Sequence, residues 1–286
     1  GGGCVVRHGG RSLSPMRARI LLVGCGRMGG AMLSGWLDRG VAASQVLVVE
    51  PAPERAESVR RERGVTVHAS AEAIDPAFRP DVVAFAVKPQ NMDEVAPLCR
   101  RYAGPGTVFL SIAAGKTIAY FERRLGAGAA IVRAMPNAPA AVGRGMTVAC
   151  PNPAVTATQR TLCDNLLSAI GEVAWIEDEA LLDPVTAVSG GGPAYVFLLV
   201  ECLAEAGIAA GLPEDLAQRI ARATVSGSGE LLSQSSEPPE ALREAVANPG
   251  GTTAEALKVL MADDGWQPLV TRAIAAATAR SRELAG

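Results

Sequence analysis

From Ile20 onward, short apolar runs alternate with longer amphipathic stretches. The runs Ile20–Val23, Val46–Val49, Val65–Val67, Val82–Val87, Val108–Leu110 and Ile131–Val132 show no polar alternation, the pattern of strands buried on both faces. Between them, Met28–Asp38, Glu54–Arg63 and Thr117–Leu125 read as helices. This predicts a parallel sheet with helices on both sides. Two further short runs, Gly145–Ala149 and Val173–Ile176, flank a helix expected to begin near Pro153. Beyond Asp183 the strand-like runs stop, and Pro193–Ala210, Pro213–Leu232, Thr252–Met261 and Trp266–Leu284 read as helices. The serine-rich patch Ser226–Pro239 reads as an exposed connection between helices. The expected fold class is therefore α/β, a Rossmann-type doubly wound sheet followed by an all-helical C-terminal domain. The change of texture divides the chain into a leader at 1–15, a sheet domain at 16–176 and a helical domain at 177–286.

Composition narrows the function classes. A chain of 286 residues can build two ordinary cores. With 27 basic groups against 29 acidic and 49% apolar residues, neither a disordered chain nor a nucleic-acid binder is expected. The apolar segment Ala194–Ala210 is interrupted by Glu201 and Glu205, so it reads as a buried helix and no membrane span is expected. Six cysteines lack any Cys-x-x-Cys pair and there are only 2 histidines, so no metal site is expected. The thiols read as free in a reducing cytoplasm. Gly1–Pro15 lacks the apolar stretch of a secretory signal, and Met16 reads as the natural start.

Glycines mark the candidate chemistry. Gly24-Cys25-Gly26-Arg27-Met28-Gly29 follows the first strand and opens the first helix, the setting a dinucleotide fingerprint requires. Gly24 permits the turn, Gly26 lets backbone approach a diphosphate, and Gly29 allows close helix-to-strand packing. The diphosphate then sits on free amides at the helix start. Glu50 ends the second strand, where an acid accepts ribose hydroxyls and favours NADH, while Arg55 nearby can cover a 2′-phosphate and favour NADPH. The choice between NADPH and NADH stays open. Ala86-Val87-Lys88-Pro89 closes the fourth strand, with Lys88 in reach of the ribose or nicotinamide region. Arg133-Ala134-Met135-Pro136-Asn137 closes the sixth, where Met135 and Pro136 can wall a nicotinamide pocket and Asn137 offers a donor and an acceptor.

Two more glycine-opened helix starts follow. Ser189-Gly190-Gly191-Gly192-Pro193-Ala194-Tyr195 places a proline at the first helical position. Pro249-Gly250-Gly251-Thr252-Thr253 precedes a helix whose Thr252 and Glu255 fit a capping box, and its turn can form a nest of amides for a small carboxylate.

Together with Ser111-Ile112-Ala113-Ala114-Gly115, these motifs resemble, in order and spacing, the pyrroline-5-carboxylate reductase family from Met16 onward. The chain departs from the family pattern at Gly191, where a serine is usual, and at Ala247-Asn248, where Thr-Ser is usual. The resemblance implies hydride transfer from NADPH or NADH to the imine carbon of 1-pyrroline-5-carboxylate, giving L-proline, the last step of proline biosynthesis. It implies substrate carboxylate binding at Gly250, Gly251 and Thr252, and Thr253 as hydrogen-bond partner of the imine nitrogen. It also implies a helical domain that pairs two subunits over the substrate pocket, with dimers assembling further, for instance into a decamer. The scarcity of acids and histidines in the motifs agrees, because a cyclic imine arrives protonated and needs mainly orientation. A β-hydroxyacid-type dehydrogenase would need a lysine in the first long helix after the junction, and Pro193–Ala210 has none. A non-catalytic NAD(P) sensor would have no need of a carboxylate nest.

Overall fold

The computed structural model describes residues 18–285, so the expected leader at 1–15 lies outside the described residues. Eight strands form one sheet in the order β3-β2-β1-β4-β5-β6-β7-β8. They are β1 (Ile20–Val23), β2 (Val46–Val49), β3 (Thr66–His68), β4 (Val82–Phe85), β5 (Val108–Ser111), β6 (Ala130–Met135), β7 (Gly145–Pro151) and β8 (Gly171–Trp175). The helices between them are α1 (Arg27–Asp38), α2 (Pro53–Arg63), the single turn α3 (Met92–Val95), α4 (Ile118–Leu125) and α5 (Ala157–Ser168).

The central strands are buried along their whole length, which is why they lack alternation. Ile20, Leu22, Val82, Ala84 and Leu110 face one side with Met32, Leu33 and Trp36 of α1. Leu21, Val23, Val83, Phe85 and Phe109 face the other with Phe121 of α4. Each large side chain removed from water contributes roughly 1.5–3 kcal/mol before chain entropy is counted.

The sheet adds one reversal to the parallel arrangement expected from the first six apolar runs. The first six strands pair in parallel, but β7 runs antiparallel to β6 and β8 parallel to β7. The reason is the length of the link. Residues 136–144 offer only a 3₁₀ turn at Ala138–Val142, too short for the helical crossover that a parallel return needs. Three boundaries also move. β4 stops at Phe85, since Ala86 to Lys88 lead into a 3₁₀ turn at Pro89–Asn91. The helix expected near Pro153 begins at Ala157, because Thr156 and Gln159 form a reciprocal capping box there. The expected connection over Ser226–Pro239 shrinks, since helix continues through Gln234.

After β8 come the short α6 (Leu182–Val185) and a π-helical turn at Thr186–Gly190. Then follow α7 (Gly192–Ala209), α8 (Glu214–Gln234), α9 (Pro239–Ala245), α10 (Thr252–Leu260) and α11 (Trp266–Ala285). The chain forms two compact units. One spans Gly191–Ala276, and the other holds the sheet, the segment up to Gly190 and the chain from Ala277 onward. Within the sheet unit, Ser281 Oγ of α11 donates to Asp183 Oδ1 at 2.7 Å.

In the helical unit α7 and α8 form a hairpin whose buried members are alanines: Ala204, Ala217 and Ala221. The larger apolar residues of α7, among them Val196, Phe197 and Leu198, are exposed. The helix read as buried is therefore not buried within its own chain. The stretch Glu179–Ala209 is long and apolar enough to cross a membrane by length and composition alone.

Candidate functional site

Strand order reverses at β1, with β2 on one side and β4 on the other, so the crevice of a doubly wound sheet opens at their carboxyl ends. The loop after β1 is held there by backbone. Gly24 N–H donates to Val49 O at 2.8 Å, and Ala86 N–H donates to Val23 O at 2.8 Å. Gly24 adopts φ +91°, and a Cβ on it would lie 2.7 Å from Val87 Cγ1. A Cβ on Gly29 would strike the Gly24 carbonyl and approach Ala86 Cβ to 3.1 Å. Gly26 differs, with nothing within 4 Å of its Cβ position. The loop is thus closed toward protein at Gly24 and Gly29 and open outward at Gly26. No side chain caps α1 at Gly26, and the first-turn residues Arg27 and Met28 follow it. A closed turn with an open, uncapped helix start fits a dinucleotide diphosphate.

Glu50 is buried, and its carboxylate serves the loop. Oε2 accepts Cys25 N–H at 3.0 Å and Oε1 accepts Ala52 N–H at 3.1 Å. The exposed Arg55 guanidinium stands 3.7 Å from Oε2. Arg55 is therefore paired rather than freely solvated, and both signs of charge stand at the end of β2. Burial, reinforced by the Glu50 charge, pushes the Cys25 thiol up to about 11, which keeps it neutral.

Lys88 is exposed and, among the described residues, makes no ion pair. Asp93 of α3 accepts a hydrogen bond from Tyr120 Oη at 2.8 Å and also pairs with Arg124 and Lys116. The Tyr120 hydrogen bond leads in holding the Asp93 carboxyl below its usual range. Desolvation, then Asp93, pushes Tyr120 up to about 12.

At the end of β6, Met135 is buried beside Val148, Cys150 and Leu182, and Pro136 is buried next to it. Asn137 spans two elements: its Oδ1 accepts Met146 N–H at 2.9 Å and its Nδ2 donates to Ser189 Oγ at 3.2 Å. Arg133 is 3% exposed and donates from Nη1 to Glu179 Oε1 at 2.9 Å. The same oxygen accepts Ile118 N–H at 2.8 Å. Sequence reasoning missed Glu179 and Asp93 because a single acid in a short helical turn carries no motif.

In the helical unit, Gly250 has φ +74°, a conformation that favours glycine, and Gly251 N–H closes the turn onto Asn248 O at 2.9 Å. The expected capping box at Thr252 is not formed. Gly251 is the N-cap, Thr252 lies inside the helix, and Glu255 pairs with Lys258 instead. The physical consequence is that no side chain covers the first amides of α10. Thr253 is exposed on its first turn. The residues expected at the site thus fall into two groups, the cofactor set in the sheet unit and Gly250–Thr253 in the helical unit.

Residues 179–284 match the family model described as pyrroline-5-carboxylate reductase dimerisation, and residues 19–115 match one described as NADP oxidoreductase, coenzyme F420-dependent. The pyrroline-5-carboxylate reductase of Pseudomonas aeruginosa is 38% identical, over 93% of this chain and 97% of its own. That of Escherichia coli is 36% identical, over 94% and 99%. Among solved structures, the Coxiella burnetii pyrroline-5-carboxylate reductase superposes with a TM-score of 0.88 at 30% identity, covering 94% of this chain and 99% of its own. The Plasmodium falciparum pyrroline carboxylate reductase with NADP bound gives 0.78 at 28% identity, covering 94% and 98%.

Proposed function

The chain belongs to the pyrroline-5-carboxylate reductase family, and on that premise we propose how its residues divide the work of the reaction. The protein is an oxidoreductase that reduces 1-pyrroline-5-carboxylate to L-proline with NAD(P)H, and it forms a homo-oligomer through its helical domain. The bound nicotinamide supplies a hydride for the imine carbon. Everything else falls to the chain.

On this reading Gly24, Gly26 and Gly29 with the amides of Arg27 and Met28 hold the diphosphate, supported by the outward opening at Gly26. Glu50 fixes the loop through Cys25, and Arg55 gives the adenosine end a cation. That cation supports NADPH as an accepted cofactor. Ala86, Val87, Lys88 and Pro89 border the crevice beside β1, and Met135, Pro136 and Asn137 border it after β6. The uncapped amides at Gly250, Gly251 and Thr252 take the substrate carboxylate, and Thr253 holds the imine nitrogen through its hydroxyl. A hydroxyl suffices there because the iminium already carries its proton. We place the junction between the cofactor and helical domains near residue 176, where the strands end, although the segment up to Gly190 still packs within the sheet unit. The exposed apolar residues of α7 support assembly of dimers into a larger oligomer such as a decamer. The free cysteines among the described residues support a cytoplasmic location.

The observation that carries the mechanism is the pairing of an open, uncapped start at α1 with an uncapped, glycine-opened start at α10. The test is oxidation of NADPH and of NADH on adding 1-pyrroline-5-carboxylate, followed by loss of reduced-nicotinamide absorbance. Turnover with NADPH is expected. Turnover with NADH alone would overturn the role given to Arg55.

A further inference from the structure

Asn137 emerges at the same end of the sheet as Gly24 and Lys88, because β6 runs parallel to β5 and β5 to β4. A side chain there has an obvious role as a cofactor ligand, yet both of its polar atoms are engaged inside the protein. Oδ1 accepts Met146 N–H at 2.9 Å and pins the return into β7. Nδ2 donates to Ser189 Oγ at 3.2 Å, across 52 residues of sequence.

Ser189 lies in the π-helical turn Thr186–Gly190, an uncommon conformation that concentrates at functional sites. It carries the sole hydroxyl in the run Ser189–Gly192. The turn also passes close to the end of β6, since a Cβ added to Gly190 would lie 3.8 Å from Met135 Sδ. Its upstream end is tied by Thr186 Oγ1, which donates to Leu182 O at 2.7 Å. Further back, Glu179 bridges Arg133 of β6 and the first amide of α4. The Asn137–Ser189 bond is thus the downstream tie of a segment whose upstream end is already fastened to the same strand.

We propose that Asn137 and Ser189 act as a positioning pair: their hydrogen bond sets the π-helical turn against the end of β6 and so fixes the wall of the nicotinamide side, without Asn137 binding the cofactor. This rests on the reading of the strand ends as the nicotinamide side. The physical reason is that hydride transfer tolerates little misplacement, an error near 1 Å costing about a hundredfold in rate. A glycine-rich run cannot hold that register by its own side chains.

The test uses the full-length assembled enzyme. For Ser189→Ala, Asn137→Ala, the double variant and Ser189→Thr, kcat, KM for 1-pyrroline-5-carboxylate and the Kd for NADPH are measured. Each alanine variant is expected to lose about tenfold to a hundredfold in kcat with the NADPH Kd held within about twofold. The double variant is expected to be no slower than the slower single, since the two residues act as a unit. Ser189→Thr, which keeps the hydroxyl, is expected to retain most of the rate. Unchanged kcat in Ser189→Ala, losses that multiply in the double variant, or equal losses in Ser189→Thr and Ser189→Ala would each overturn the proposal. So would a raised NADPH Kd with unchanged kcat in Asn137→Ala. If the turn after β1 does not hold the cofactor, Gly26→Val will leave NADPH binding intact, an outcome separate from all of these.

Discussion

In the sheet unit, Ile20, Leu21, Leu22, Phe85 and Leu110 have no exposed surface, whereas in the helical unit Phe197 is 62% exposed and Leu198 56%. Both units are rich in apolar residues, so composition does not explain the difference. Geometry does. A sheet with helices on both faces buries large side chains on its own, while the α7–α8 hairpin closes on alanines and leaves its larger residues outside. The first unit completes its core alone, and the second needs further copies of the chain, in agreement with its match to a dimerisation domain. The same contrast separates the two glycine turns. Gly24–Gly29 is locked between neighbouring strands, and Gly250–Gly251 is a surface turn closed by Gly251 N–H onto Asn248 O.

The largest effect should come from the self-sufficient core. Phe85 stacks between Phe109 and Phe121, at 6.1 Å and 5.6 Å between ring centroids. Phe85→Ala should cost about 3–5 kcal/mol in denaturant unfolding; a loss below about 1 kcal/mol would mean that the site collapses onto its neighbours. Gly26→Val comes next: NADPH affinity should drop at least about a hundredfold, while far-UV circular dichroism and the assembled mass stay unchanged. Retained affinity in a titration would break the reading of the open loop. Phe197→Glu should weaken assembly by about 2 kcal/mol or more and produce smaller species in light scattering. An unchanged mass at low concentration would place the interface elsewhere.

Thr253→Ala removes one exposed hydroxyl, so kcat should fall about tenfold with the unfolding transition unmoved. Wild-type turnover would sink the role at the imine nitrogen. The smallest effect is expected from Lys258→Ala, which breaks a surface pair with Glu255 worth at most about 0.5 kcal/mol. A larger loss would show that this surface becomes covered in the oligomer.

Much of the fold was legible because its signals are local. A strand buried on both faces must be apolar at every position, so β1, β2, β4 and β5 stand out as runs. A tight turn into a helix needs glycine, so the turn after β1 was legible at Gly24, Gly26 and Gly29. The direction of β7 was not, since a strand's side chains look alike whichever way its neighbour runs. Likewise the pair Thr252 and Glu255 matched a capping spacing, but the turn geometry at Gly250 and Gly251 placed the cap one residue earlier.

By itself the sequence determined which segments are strands and helices, where backbone must turn without a side chain, and which family motifs the chain carries. Only the tertiary structure decided that Glu50 grips the loop after β1 through Cys25, that Arg55 pairs with Glu50, and that Asn137 reaches Ser189. It also decided that the apolar face of α7 lies outside its own chain. Local propensity and spacing are properties of neighbouring residues. Hydrogen bonds across 25 or 52 positions, and the fate of an apolar face, depend on which distant elements the sheet order brings together.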